Sequence, residues 1–283
     1  MKIFPIIAER WMADGGTVFG VVPKSIWSKI YRPDALNNVP TCNRCLLVDT
    51  GKKVILFDAG MGNKQDDKFY GFRYLHGDES LEKGFKKAGY CFEDVTDVVF
   101  THLHYDHVGG AFRWDETGSK AVAVFSNAQY WLSRRQWEWA THPNPREAAS
   151  FIPENQNPVF ESGKLHFIED EGFFTEGIYF KMFHGHTDGQ IIPIIECAGK
   201  KFAYVADFIA TAAHLPLPYI PAYDIRPLIT MEEKERFLHE ALENDYYLIF
   251  EHDPFIECCS LHQTPKGILA DKMMKLEEIE ETS

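Results

Sequence analysis

An α/β fold rich in strands is what the sequence predicts, on three observations. Short apolar runs bounded by turn residues recur along the chain, and apolar residues at helical spacing interrupt them. No repeat, low-complexity segment or linker divides the 283 residues. One domain over residues 1–283, carrying polar insertions near 60–74 and 141–163, is the expected organisation.

The elements follow in order. Cys45–Asp49 and Val54–Asp58 are apolar runs separated by Thr50-Gly51-Lys52-Lys53, a hairpin signal. Asp78 is placed to cap a helix with Leu81, Phe85 and Ala88 on one face and Gly89 at its end. Val98-Val99-Phe100 reads as a buried strand delivering the chain to Thr101-His102, and Ala121–Phe125 as another. A Trp-rich helix is expected through Trp131 and Trp137, then strands at Ile178–Phe183, Ile191–Cys197 and Phe202–Val205. Thr230-x-x-Glu233 matches a capping box ahead of Phe237, Leu238, Ala241 and Leu242, with a short strand at Tyr247–Phe250 after it. Thr264-Pro265 is expected to start a final helix with Leu269, Met273 and Leu276 inward, followed by a frayed tail at Glu277–Ser283.

Composition excludes several function classes. With a formal charge of -13 and no Lys/Arg-rich run, the chain lacks the basic stripe of a nucleic-acid binder. No stretch approaches the roughly 18 apolar residues of a membrane span. The N-terminal residues are charged too early for a signal peptide, and the six scattered cysteines suit a reducing compartment, so the cytoplasm is expected. Cys42-x-x-Cys45 has no second such pair and reads as ordinary strand thiols.

The chemistry is concentrated in Thr101-His-Leu-His-Tyr-Asp-His-Val-Gly-Gly110. Here His102, His104, Asp106 and His107 place four potential metal ligands within six positions, directly after an apolar strand. One histidine in a polar loop is ordinary; this arrangement turns imidazoles and a carboxylate inward together. Imidazole and carboxylate without thiolate suit zinc and related divalent ions. Gly109 and Gly110 let the backbone pass close behind the ligands. No G-x-S-x-G elbow, phosphate loop or dinucleotide fingerprint is present.

His102-x-His104-x-Asp106-His107 resembles the signature of the metallo-β-lactamase superfamily, whose other landmarks follow in order. Val54-Ile-Leu-Phe-Asp58-Ala-Gly60, Phe183-His-Gly-His186-Thr-Asp-Gly189, Tyr204-Val-Ala-Asp207 and Phe250-Glu-His252-Asp-Pro254 look like its remaining motifs. The resemblance implies a four-layer αβ/βα sandwich binding two divalent metal ions, zinc by expectation. It also implies a partition: His102, His104 and His186 on one ion, Asp106, His107 and His252 on the other, Asp207 shared. Asp58 is then a carboxylate that orients a ligand, and Asp106 and Asp207 are the catalytic carboxylates. A hydroxide bridging the two ions would attack the substrate, and Asp106 would pass a proton to the leaving group.

Asp14-Gly-Gly-Thr-Val-Phe-Gly-Val-Val-Pro-Lys24 resembles a segment of quorum-quenching N-acyl-homoserine lactonases and their methyl-parathion-hydrolase-like relatives. That implies a small-molecule substrate, with Phe19, Trp27, Phe208 and His214 as pocket residues, and a homodimer formed through the N-terminal segment. Two departures stand out. Asp188 replaces a small residue or proline, and Ala210 stands where some lactonases have tyrosine; Tyr219 and Tyr223 are the available substitutes. A dinuclear zinc hydrolase of lactones or small esters, N-acyl-homoserine lactones foremost, is expected. Organophosphate, ester or thioester hydrolysis is the alternative, and a metal-binding sensor the non-enzyme one. A glyoxalase II-like thioesterase would need a basic C-terminal glutathione site, a nuclease a basic surface, a secreted β-lactamase an export signal. An oxygen-reducing di-iron protein would carry Glu in place of His104 and a flavin domain.

Overall fold

Apolar runs buried along both faces build the two main sheets of the computed structural model, which describes residues 1–278. Contacts gather the chain into two units: Met1–Arg10 with Asn43–Asp170, and Trp11–Cys42 with Glu171 onward. Through the first unit run β1 (Lys2–Asp14), β2 (Asn38–Asp49), β3 (Val54–Phe57), β4 (Asp97–Val99), β5 (Phe112–Trp114), β6 (Ala121–Ala123), β7 (Gln129–Ser133) and β8 (Leu165–Ile168). The second holds β9 (Gly172–Thr175), β10 (Ile178–Phe183), β11 (Gln190–Cys197), β12 (Lys200–Tyr204), β13 (Tyr246–Ile249), β14 (Cys258–Thr264) and β15 (Gly267–Met274).

In the first unit the sheet order is β1-β2-β3-β4-β7-β8, with β5-β6 a separate hairpin. The expected hairpin is present: β2 and β3 pair antiparallel from Leu46↔Phe57 to Asp49↔Val54. From there β3, β4, β7 and β8 are successively parallel. Parallel strands are covered on both faces, which explains uninterrupted apolar runs such as Val98-Val99-Phe100. The core of this unit gathers Leu47, Leu56, Val98, Phe100, Phe125 and Tyr130. Parallel neighbours also end together, so the ends of β3 and β4 bring Asp58 and Thr101 to one edge.

In the second unit the order is β15-β14-β13-β12-β11-β10-β9. β12 and β13 are parallel, Lys201↔Tyr246 through Tyr204↔Ile249, joined by a crossover containing the helix Pro227–Glu243. β11 is antiparallel to both β10 and β12, so β10, β12 and β13 all end at one edge. His186, Asp207 and His252 follow those three ends.

Several expectations are corrected. The C-terminal helix is instead the hairpin β14-β15, in register from Leu261↔Ala270 to Thr264↔Gly267. Pro265 sits inside a Thr-Pro-Lys-Gly turn closed by Thr264 Oγ1 donating to the Gly267 carbonyl at 2.7 Å, with Gly267 at φ 108°. The tail expectation falls largely on 279–283, outside the described residues. The helix at 81–88 ends at Gly89 as expected but is capped by Ser80, whose Oγ accepts from Lys83 N at 3.2 Å, and not by Asp78. Trp131 lies on β7, and the Trp-rich helix is Arg134–Thr141. The helix with the presumed capping box starts earlier, at Pro227, leaving Thr230 and Glu233 in its buried face. Both polar insertions contain helix, at Asp67–Gly71 and Pro153–Glu161, signalled by the Asp66 cap and by Pro153 at the first helical position. Among the described residues no helix is long and apolar enough to cross a membrane. The six cysteines are in no disulfide, and Cys42 and Cys45 are buried in β2.

The glycines closing the histidine motif are required by space. A Cβ on Gly109 would lie 1.9 Å from the Met61 carbonyl oxygen, and one on Gly110 2.0 Å from that of Ala59. Backbone cannot yield as a flexible side chain does. Gly109→Ala should therefore lower unfolding stability by about 2 kcal/mol or more. Gly172→Ala, where a Cβ meets nothing within 4 Å, should leave it nearly unchanged. Denaturant titration of the two variants measures the contrast, and equal stabilities would contradict the close approach.

Candidate metal centre

In the first unit, three imidazoles each have one ring nitrogen fixed by a hydrogen bond. Asp58, fully buried at the end of β3, accepts from Thr101 N at 2.8 Å, Thr101 Oγ1 at 2.7 Å and His107 Nδ1 at 3.0 Å. Because the single Thr101 hydroxyl proton goes to Asp58, the same oxygen accepts from His102 Nδ1 at 3.0 Å. His104 donates through Nε2 to Glu147 Oε1 at 3.0 Å. The other ring nitrogens are His102 Nε2 and His104 Nδ1, which face each other at 2.9 Å, and His107 Nε2, 3.8 Å from Asp106 Oδ2. Two nitrogen lone pairs brought this close suit a shared cation. Asp106 follows on the one-turn helix Tyr105–Val108, its carbonyl held by Asn43 Nδ2 at 3.0 Å.

Behind this loop, the Lys64 ammonium donates to the Gly109 carbonyl and to that of Phe112 at 2.7 Å. Burial pulls its pKa down to about 8. Glu9 accepts from Met61 N, tying β1 to the same turn.

The second unit repeats the device. His186 Nδ1 meets Asp224 Oδ1 at 2.9 Å, and Asp224 is itself held by Thr230 Oγ1 at 2.7 Å. His252 Nδ1 donates to the Cys42 carbonyl at 2.9 Å. Their Nε2 atoms converge on the two oxygens of Asp207, that of His186 at 3.1 Å and that of His252 in closer contact. Burial disfavours charge on His186, yet the charges and hydrogen bonds of Asp207 and Asp224 outweigh it and raise its pKa to about 10. The position between that imidazole and Asp207 is thus built for a cation, whether proton or metal ion. The donors are neutral imidazoles with fixed tautomers plus carboxylates, a set that fits divalent metal ions.

Asp188, the departure noted in the sequence, accepts from Arg226 at 2.8 Å, while Arg226 also donates to the His184 carbonyl at 2.9 Å. Glu233 accepts from His184 N and Gly185 N, each at 3.0 Å. The loop before His186 is therefore held from the crossover segment and its helix.

The residues expected in a substrate pocket divide into two groups. Phe19 lies between Trp27 and His214, with centroids 4.8 and 5.1 Å away and planes 13° and 6° apart, all three buried. Phe208 stacks on Phe183 at 3.9 Å and meets Phe237 edge-on. Each group is packed interior of its unit. Tyr219 meets Phe19 edge-on, and Tyr223 presents itself edge-on to His186 at 5.6 Å. Ala210 is buried, and its carbonyl accepts from His252 N at 3.3 Å. Sequence reasoning missed Glu147, Asp224 and Lys234, and it read Thr230 as a helix cap where the structure has it holding Asp224. Glu147, Asp224 and Lys234 belong to no spacing motif; the one signal was the cluster of charged residues on the apolar face of the 227–243 helix.

His214 spends both ring nitrogens on structure, Nε2 on the Val18 carbonyl at 2.9 Å and Nδ1 on Thr211 Oγ1 at 2.8 Å. Lys234 fixes the same loop through the carbonyls of His214, Pro216 and Tyr219 at 2.9, 3.1 and 3.0 Å. Burial, with Lys234 adding to it, lowers the His214 pKa to about 4. The unfolded imidazole binds a proton near pH 6.5, so the unfolded state gains protons first as pH falls. Stability from His214 is complete above that pH and is lost toward pH 4, a loss of about 3 kcal/mol at full extent. His214→Gln should be less stable at pH 7.5 and show a shallower fall between pH 6.5 and 4 than the parent protein. Parallel falls in denaturant titrations across that window would rule out a buried neutral His214.

The family model of the metallo-beta-lactamase superfamily matches residues 43–252. The N-acyl homoserine lactonase AiiA of Bacillus thuringiensis subsp. kurstaki is 22% identical over 205 residues, 69% of this chain and 70% of AiiA. A solved structure of a probable metal-dependent hydrolase from Staphylococcus aureus matches with TM-score 0.86 at 27% identity, covering 97% of this chain and 98% of that one. AidC, a dizinc quorum-quenching lactonase, shares the fold with TM-score 0.79 at 23% identity, covering 96% and 95%. A match that starts next to Cys42 and runs to His252 takes in every histidine and aspartate placed above, and the chain belongs to the metallo-β-lactamase superfamily, with that fold and a hydrolytic activity.

Proposed function

We propose that this chain is a dinuclear zinc hydrolase that opens a lactone, an N-acyl-homoserine lactone in first place, and that its two units are halves of one catalytic domain. The observation that carries the reading is the common treatment of five imidazoles. His102, His104, His107, His186 and His252 each have one ring nitrogen tied to a fixed partner, and the other faces an imidazole or carboxylate of the proposed ligand set. In this reading His102, His104 and His186 hold one ion, Asp106, His107 and His252 the other, and Asp207 serves both. The curated relatives named N-acyl homoserine lactonases, AiiA among them, support the substrate class.

When bound, the ions supply Lewis acidity for an acyl carbonyl and bring a water's pKa toward neutrality. The chain's own residues do the rest. Asp58 and Asp224 keep His107 and His186 in the liganding tautomer. Asp106 delivers a proton to the ring oxygen as its bond to the carbonyl carbon breaks, so water and lactone become a hydroxy acid. Tyr223, edge-on to His186, takes the place of the tyrosine that Ala210 does not supply.

The test is hydrolysis by protein of known metal content, using acyl-homoserine lactones of several chain lengths, an aryl ester, a phosphotriester and a thioester. Chelator-sensitive lactone opening is expected to lead the panel; turnover confined to the other substrates would discard the lactone. Asp207→Ala should reduce bound metal at both sites and lower kcat/KM at least about 1000-fold, beyond the 10- to 100-fold typical of losing a supporting partner. Two ions retained in that variant, measured by elemental analysis, would contradict the shared role.

A further inference from the structure

We infer that the polar segment 144–151 is a clamp on one metal site, acting through Glu147 on His104. The inference rests on the dinuclear reading above and concerns which residues tune the ion held by His102, His104 and His186. The Glu147 carboxylate is buried, 3% exposed, although it lies in a stretch whose composition reads as surface loop. One oxygen accepts from His104 Nε2 at 3.0 Å. The other accepts from Trp139 Nε1 at 2.6 Å and from Asn144 Nδ2 at 3.2 Å. Asn144 also shapes the turn, its Oδ1 accepting from Arg146 N at 2.9 Å and Glu147 N at 3.2 Å. Four residues beyond Glu147, the Phe151 ring covers His104 at a centroid distance of 5.0 Å.

These contacts have a chemical consequence. An acceptor on Nε2 forces the proton there, so His104 offers Nδ1, whereas His102 and His107 offer Nε2. Without Glu147 the free imidazole could keep its proton on either nitrogen, and the liganding form would become one of two. A carboxylate behind an imidazole also makes it a better donor to a cation. Trp139, from the end of the preceding helix, aims the carboxylate, so the insertion and that helix act together. Glu147 is a positioning residue: it touches neither substrate nor ion in this assignment.

The experiment measures zinc affinity by competition with a chromophoric chelator, alongside the His104 tautomer read from two-bond 15N–1H NMR correlations of the zinc-loaded protein. The parent protein should bind two ions with His104 protonated at Nε2. Glu147→Ala should weaken one ion by about 10- to 100-fold and leave the other within about threefold. Glu147→Gln, which keeps the shape and one acceptor oxygen, should restore most of that affinity. Trp139→Phe should give a smaller loss at the same ion and keeps the test alive if the alanine variant misfolds. Glu154→Ala, an exposed change on the following helix, should alter nothing. Unchanged affinity in Glu147→Ala, or equal loss of both ions, would overturn the clamp. A parent protein that binds no metal would instead overturn the dinuclear reading.

Discussion

The buried carboxylate of Asp58 is the constraint on which the histidine motif depends. It sits at φ 57°, a conformation aspartate tolerates better than most residues, at the end of a strand that Leu47, Leu56 and Val98 bury. A charge in that position is stable only when hydrogen-bonded, and it is given a backbone N–H, a hydroxyl and an imidazole, all from the Thr101–His107 stretch. The penalty for leaving Asp58 unsatisfied thereby becomes a force holding the motif in one shape. The glycines behind it, pressed against the carbonyls of Met61 and Ala59, close the arrangement from the other side.

A second principle runs through both units: the imidazoles of the candidate centre are set from behind. Asp58, Glu147, Asp224, Thr101 and the Cys42 carbonyl come from five different stretches of chain, yet each does the same thing to an imidazole. His186 makes the electrostatics plain, since two carboxylates overcome complete burial to favour a positive charge at its ring. His214 is the contrast. It has the same burial with no carboxylate hydrogen-bonded to its ring, its nitrogens serve a carbonyl and a hydroxyl, and burial outweighs the nearby Asp207 charge to hold it neutral. Burial alone therefore does not decide the charge of an imidazole in this molecule; the partner does.

Much of this was legible in the sequence because the physics is local. The motif strand, the β2–β3 hairpin and the three strands before Asp207 announced themselves through apolar runs, and the ligand types clustered within a few positions. The misses came where structure is decided at a distance. The 258–274 stretch has apolar residues at spacings compatible with a helix, but the ladder between Leu261 and Ala270 outweighs that preference, and Pro265 serves a turn. Glu147 and Asp224 carry no motif because their roles arise only when separate segments meet. Phe19, Trp27 and Phe208 were expected in a pocket from the resemblance; the structure stacks Phe19 on Trp27 and Phe208 on Phe183, contacts between segments that no local pattern announces.

The hairpin that replaced the expected helix has one more consequence, for behaviour at high concentration. Among the described residues β15 ends its sheet, with a neighbouring strand on one side of its backbone only. Such borders recruit strands from other molecules unless something blocks them. Asp271 and Lys272 stand exposed on β15, beside an equally exposed Met273. Opposite charges in the middle of an otherwise apolar Gly-Ile-Leu-Ala-Asp-Lys-Met-Met strand make stacking of identical copies costly to desolvate. Charges so placed oppose edge-to-edge pairing, a physical role independent of metal or substrate.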